Sequence, residues 1–490
     1  MGLAAGAIRG VRLTLMGSVL SSAVQLALLP VFARLIAPED YGLIAAAMVI
    51  LTPVVHVLGS GIERALIVAA ELPGAAIDSM LAVMLALAAA ATVAIVLAVW
   101  TGLPLGTEGW LLLLLAPLVV CIALSAVFRG VMRRRLAFGR LVAIDAVAQL
   151  VGSGTVAAIG IMAGWDARAL AAGMLAQAAF QLACYAASCG HRVVGRFDRA
   201  AAWPILVAGF SITKTSILEV IYGQMPAAAT GWGLGTAALG IYNRAYSLVQ
   251  LPAEFFVVAV TRVAFPSLAQ LRGDGRAMRE AVAAVIEACA ALLLPLCAGM
   301  AFAGGDLVAT VLGPQWHEAA ALIPWLCLGT GAAMLGHVFA SINEAGLALE
   351  ARFRIQAATL AFAGACLGLA VGVGLGLGLG LVAVAWATAA AAIFHCVLHV
   401  RLTARMLDLG PRDLLRHAVP GLSAGCACAL VAGLADQLLP ATLGSGWRLA
   451  IEVAGCGLAT LATYGLGFPS LSGRLAGYAG FGQARRSAAS

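Results

Sequence analysis

The sequence predicts an all-α polytopic membrane protein of about fourteen transmembrane helices, and three observations predict it. Of 490 residues, 63% are hydrophobic and only 10% charged, with a mean hydropathy of +1.02. A soluble domain carries about 25% charged residues, so most of this surface must face lipid. The apolar runs are continuous, as in 81–100 and 111–127. About 20 such residues cross a hydrocarbon core of about 30 Å as a helix, whereas a membrane barrel needs apolar/polar alternation. Finally, the basic residues alternate from loop to loop.

Hydropathy and polar punctuation place the spans at 11–35, 41–60, 77–100, 110–128, 141–163, 168–190, 202–225, 236–261, 281–304, 318–342, 355–373, 378–400, 416–437 and 448–470. With the N-terminus in the cytoplasm, 24 of the 29 basic residues fall in cytoplasmic segments. Only Arg34, Arg168 and Arg448 fall outside, and Lys214 and Arg244 lie within spans. Cytoplasmic loops concentrate arginine, so both termini are expected in the cytoplasm. The same rule accounts for the net charge of +7 without a nucleic-acid partner. Arg9 and Arg12 precede an apolar stretch broken by Ser18, Ser21, Ser22 and Gln25, which reads as an uncleaved first span rather than a signal peptide.

Several motifs carry little chemistry. The eleven cysteines lie mostly inside apolar runs and form neither a disulfide framework nor zinc-site spacing. Gly421-Leu-Ser-Ala-Gly425 matches a hydrolase nucleophile pattern but sits in an apolar helix, not a strand–turn–helix. His395 and His399 stand one helical turn apart without a carboxylate partner. The glycine run 372–380 lacks the lysine and serine of a phosphate loop and reads as a tight turn. No catalytic residue, metal site or cofactor is expected.

Polar residues inside spans are more informative, because an ionisable group in a bilayer is costly and marks function by default. Span 1 carries Thr14, Ser18, Ser21, Ser22 and Gln25 at helical spacing. Span 7 carries Ser211, Lys214, Thr215 and Glu219, and Lys214 is the only lysine in the chain. Span 8 carries Asn243, Ser247, Gln250 and Glu254 on one face, with Arg244 beside it. At about 1.5 Å per residue, Lys214 lies roughly 18 Å from the cytoplasmic end of its span and Arg244 roughly 12 Å from the outer end of its own. Both fall near mid-membrane, with Glu219 as a candidate salt-bridge partner for Arg244. The three stripes together predict a polar cavity that accepts an anion.

An echo recurs about 200 residues apart. Residues 34–54 (RLIAPEDYGLIAAAMVILTPV) and 233–255 (GLGTAALGIYNRAYSLVQLPAEF) each have a turn, a Tyr beside or near a Gly, and a later proline, Pro53 or Pro252. The echo falls six spans apart. It divides the chain into six-helix lobes at 1–195 and 196–410, with two further helices and a short tail at 411–490, the two-lobe build of secondary transporters.

These segments also resemble a family. Arg34-Leu-Ile-Ala-Pro-Glu-Asp-Tyr-Gly42, Leu239-Gly-Ile-Tyr-Asn-Arg-Ala-Tyr246 with Pro252, and Leu312-Gly-Pro-Gln-Trp316 are similar to motifs of the polysaccharide-export flippases of the multidrug/oligosaccharidyl-lipid/polysaccharide superfamily. The chain departs from that pattern late in span 7, where Gln224, Met225 and Pro226 replace an acidic residue. The resemblance implies a two-lobe inner-membrane transporter with alternating access, not an enzyme. Its substrate would be a polyprenyl-diphosphate-linked oligosaccharide, and its partners membrane lipid and a polysaccharide polymerase or glycosyltransferases. Lys214, Arg244, Glu219, Asn243, Ser247, Gln250, Glu254, Ser18, Ser22, Gln25 and Arg34 would line the cavity. A drug exporter of the same superfamily is the main alternative, but it favours acidic cavities over Lys214 and Arg244. A membrane enzyme of polysaccharide assembly is the lesser one, and needs a large outer loop that this chain lacks.

Overall fold

A computed structural model describes residues 24, 28–69, 71–102, 109–191, 194–195, 197–270, 275–345, 349–440 and 442–469. Every regular element among them is a helix. We number the long ones α1 (Pro38–Val68), α2 (Gly74–Trp100), α3 (Gly109–Arg134), α4 (Phe138–Met162), α5 (Ala167–Ser188), α6 (Arg199–Leu234) and α7 (Thr236–Gln270). The series continues with α8 (Gly275–Phe302), α9 (Ile323–Ala345), α10 (Leu349–Gly376), α11 (Gly380–Met406), α12 (Val419–Leu438) and α13 (Ser445–Ala462). Eleven helices are long and apolar enough, among the described residues, to cross a membrane. The helices α6 and α7, of 36 and 35 residues, correspond to spans 7 and 8. Most of the first expected span lies outside the described residues.

Helix boundaries follow local chemistry. α1 starts with Pro38 at its first turn, followed by Glu39 and Asp40. Proline lacks only an amide that is orphaned there anyway, and acids favour the positive end of the helix dipole. Span 7 was expected to stop near residue 225. Instead α6 continues through Pro226 to Leu234 and ends at Gly235, whose φ of 93° suits glycine. The expected tight turn in the glycine run is present, with positive φ at Gly378 and Gly380. Gly313, with a φ of 104°, admits a short 3-10 segment, Pro314–Leu322, that leads into α9 and buries Trp316 fully.

By packing, the chain divides into two units, Met1–Asn243 and Arg244–Ser490. This division says nothing about the repeat boundary expected near residue 195. In the first unit α1 packs along α3 and α6. Two apolar cores lie along the antiparallel α1, α2 and α3. One gathers Leu66, Met80, Met132 and Tyr185, the other Leu51, Leu111, Leu115 and Val119.

Several arginines counted as loop charges do structural work in this unit. Arg134 donates to the last carbonyls of α1, including that of Ala69, and Arg135 to the carbonyl of Cys189 after α5. Cations at helix C-termini satisfy orphaned carbonyls. The segment after α5 is held to α2 by Asp78, which meets His191 at 2.7 Å and accepts from the Val194 amide at 3.0 Å.

In the second unit α9, α10 and α11 form one group, while α8, α12 and α13 form another, with α8 also packing on α9. Ser423, the serine of the hydrolase-like pattern, sits inside α12 and donates to Pro420 O at 2.8 Å. It is a helix residue with its hydroxyl turned to its own backbone.

Candidate functional site

The two segments of the sequence echo meet in space. Pro38 to Gly42 opens α1, and Thr236 to Gly240 opens α7. A side-chain carbon at Gly42 would overlap the carbonyl of Thr236, and one at Gly240 would overlap the carbonyl of Pro38. The relation is reciprocal: each glycine admits the backbone of the other segment. Tyr41, Tyr242 and Leu239 are buried around this crossing. The Tyr-Gly and Leu-Gly-x-Tyr motifs therefore specify one close helix contact. A second close approach follows along α1, where Gly61 faces Gly209 and Thr213 of α6.

This crossing fixes the start of α7, and the polar stripe follows within a few turns. Asn243, Arg244, Ser247 and Gln250 are all half-buried, whereas Ala245, Leu248, Val249 and Ala253 on the opposite side are buried. Asn243, Arg244 and Ser247 each interact with other residues of the chain. Glu254 continues the stripe, but its side chain lies outside the described residues. The same holds for the Lys214 side chain on α6. Glu219, further along α6, is half-buried. It acts electrostatically on His56 of α1, as does Arg64. Arg34 is exposed in the helix of residues 28–35 and also interacts within the chain. Ser18, Ser22 and Gln25 lie outside the described residues.

Three further polar groups lie outside the expected cavity residues. Glu63 of α1 is 7% exposed and binds Arg133 at 2.7 Å and Arg129 at 3.2 Å. These arginines are therefore part of α3 and its packing, not free loop charges. Their four-residue spacing, with Glu63 near the end of α1 two helices earlier, was the available signal. On α4, Asp145 and Gln149 form a ladder with α5. Asp145 accepts from Tyr185 and, at 2.9 Å, from Gln181, while Gln177 donates to Gln149 at 3.3 Å. Gln149 also donates to Ser153.

The third group lies in the second unit and includes the expected histidine pair. Asn343 meets His399 Nδ1 at 3.0 Å and accepts from Thr403 at 2.8 Å. His395 lies against Thr359 at 3.3 Å and against the ring of His399, with centroids 4.5 Å apart. These rings are buried in hydrogen bonds between α9, α10 and α11. No cluster of three metal-ligating side chains occurs among the described residues.

A chain with many apolar helices long enough to span a bilayer defines the class: a polytopic integral membrane protein. The chain belongs to the polysaccharide biosynthesis protein family, whose model matches residues 31–321. It is similar to the succinoglycan biosynthesis transport protein ExoT of Rhizobium meliloti, 24% identical over 311 residues and 62% of each chain. It thus spans a little under two thirds of that relative. It is 22% identical to the lipopolysaccharide biosynthesis protein WzxC of Escherichia coli over 374 residues, 72% of this chain and 73% of that one. Among solved structures it resembles lipid II flippase MurJ in an inward closed conformation. The TM-score is 0.71 at 14% identity, over 96% of this chain and 99% of that one. An outward-facing multidrug resistance transporter of the MATE family, itself of the MOP superfamily, gives a TM-score of 0.51 at 15% identity, over 84% of this chain and 96% of that one. These likenesses establish the fold.

Proposed function

We propose that the protein is a flippase for a polyprenyl-diphosphate-linked oligosaccharide. It works by alternating access in the bacterial inner membrane with both termini in the cytoplasm. Family membership supports a role in polysaccharide biosynthesis. The names of the relatives, a succinoglycan transport protein and a lipopolysaccharide biosynthesis protein, support a lipid-linked glycan as cargo. The observation that carries the mechanism is the half-buried stripe Asn243, Arg244, Ser247 and Gln250 on α7. Polar side chains at that depth suit a headgroup that cannot cross hydrocarbon unaided.

In this reading the lobes 1–195 and 196–410 alternate around the cavity, and residues 411–490 add two helices. The reciprocal glycine crossing of the echoed segments supports such a repeat. Lys214 and Arg244 bind the diphosphate, since charge-assisted hydrogen bonds from cations to phosphate are strong and directional. Glu219 neutralises Arg244 between transport steps. Span 1 lines the same cavity through Ser18, Ser22 and Gln25, with Glu254 and Arg34 toward its ends. The protein acts without catalysis, beside a polymerase or glycosyltransferases that make and use the cargo.

The test is polysaccharide export in a strain lacking other flippases. Lys214→Ala should leave lipid-linked intermediates on the cytoplasmic face at normal protein level, and Lys214→Arg should retain part of the activity. If Arg244 merely pairs with Glu219 and does not hold substrate, Glu219→Gln or Arg244→Gln alone should fail and the double change should be tolerated; if Arg244 binds the diphosphate, the double change should fail as well. Full export by both Lys214→Ala and Arg244→Ala would remove the cations from the mechanism.

A further inference from the structure

A groove in the second unit lies apart from the polar stripes just described. Its volume is about 520 Å³, within the roughly 300–1,000 Å³ range of ligand pockets. It is walled by α8, α12 and α13, and Leu292, Pro295, Val453 and Leu461 make it almost wholly apolar. Val453 and Leu461 are also 63% and 70% exposed, so the groove opens onto the apolar outer face of α13.

One wall breaks the pattern. Glu452 lines the groove, is 1% exposed, and its Oε2 has no hydrogen-bond partner among the described residues. A buried carboxylate oxygen left in this state is unfavourable unless something else donates to it. The nearby cation is committed elsewhere. Arg448, one turn earlier on α13, holds Asp306 at 3.0 Å and Asp436 at 2.6 Å. Asp306, Asp436 and Glu452 thus gather three acidic side chains around one arginine. Trp447, 71% exposed, stands at the start of α13. Tryptophan marks the headgroup level of a membrane helix, and Glu452 lies roughly 7.5 Å deeper at about 1.5 Å per residue.

We propose that this groove binds a phospholipid with a primary-amine headgroup, such as phosphatidylethanolamine. The ammonium donates to Glu452 and one acyl chain lies along the α8–α12–α13 groove. A primary ammonium carries three N–H donors, while a choline headgroup carries none. A phosphatidylglycerol or a polyprenyl diphosphate would meet the acidic end with like charge. The apolar walls alone would take any chain, so the headgroup decides.

Native mass spectrometry of the purified full chain tests this, with phosphatidylethanolamine, phosphatidylcholine and phosphatidylglycerol supplied in equal amounts. Phosphatidylethanolamine adducts should dominate. Glu452→Gln should reduce them about tenfold or more, the loss expected for a charge-assisted hydrogen bond. A Cβ at Gly457, which lines the groove, would meet no atom within 4 Å. Gly457→Phe should therefore fill the groove and displace the lipid with Glu452 intact, which keeps the test decisive if Glu452→Gln does not fold. Equal retention of the three lipids, retention unchanged by Gly457→Phe, or stronger binding of a polyprenyl diphosphate at the same residues would overturn the proposal.

Discussion

Two helices carry polar stripes that look the same in sequence. On α4, Asp145, Gln149 and Ser153 recur every four residues. On α7, Asn243, Ser247 and Gln250 recur every three or four. Two of the three α4 residues are matched with α5: Asp145 takes Tyr185 and Gln181, and Gln149 takes Gln177. It works as an interhelical lock. The α7 stripe carries a cation, Arg244, and stays half-buried while its apolar back is buried. Periodicity identifies a polar face. What that face does depends on the residues it meets, and Asn243, Arg244 and Ser247 also interact within the chain.

The largest expected effect tests the crossing that places α7. Gly42→Val or Gly240→Val puts a side chain where another backbone lies, and relief requires the helices to separate. Such overpacking against backbone should exceed about 3 kcal/mol. Protein yield and monodispersity in detergent should collapse. A stable, active Gly42→Val protein would show that the crossing yields easily.

Next come the cations of the stripe. Lys214→Ala or Arg244→Ala should lower export roughly 10- to 150-fold, from about 1.5–3 kcal/mol per charged hydrogen bond, with melting temperature nearly unchanged. The opposite pattern, lost stability with export per folded molecule preserved, would move the α7 stripe into the same category as α4.

A similar but purely structural loss is expected at Glu63. Glu63→Gln leaves Arg129 and Arg133 facing a neutral group in the α1–α3 contact. Breaking a fully buried pair costs about 3–5 kcal/mol. Arg133 is 48% exposed, so solvent reduces this to about 1–2 kcal/mol. Thermal unfolding should register it, and export should fall only as far as folded protein does.

The smallest effects sharpen the comparison most. Gln181→Leu should cost about 1 kcal/mol of stability, the value of one interhelical hydrogen bond, and spare export. Ser247→Ala should spare stability and reduce export severalfold. Cysteine at Ser18 or Gln25, in a cysteine-free background, should react with a water-soluble thiol reagent faster than cysteine at Leu20. Equal protection at all three would make the span 1 stripe a packing surface.

Much of the fold was legible because a membrane chain writes it in composition. Twenty apolar residues in a row have few other uses, and the all-helical architecture and family followed from such runs and three short motifs. Helix ends were less legible. Hydropathy placed the end of span 7 at residue 225, but α6 continues through Pro226 and ends only at Gly235, where φ turns positive. Of the expected site, Asn243, Arg244, Ser247 and Gln250 share a helix and a half-buried setting. The stripe spacing carried that much. The Asp145 ladder was equally visible as a period of four and went unread, since its meaning depended on Gln177, Gln181 and Tyr185 some 30 to 40 residues away.

By itself, then, the sequence determined the class of this protein: its helices, its membrane setting, its family and the echo between residues 34–54 and 233–255. These are local or compositional properties, and apolar length and residue periodicity are sufficient to specify them. Only the tertiary structure decided that the echoed glycines meet each other, that Glu63 gathers two arginines, that His395 and His399 bond with Thr359 and Asn343, and that Glu452 ends in an apolar groove. Each of these depends on which helix lies opposite. That choice is made by close packing between segments distant in the chain, where one side chain too many or one buried charge without a partner excludes the alternatives.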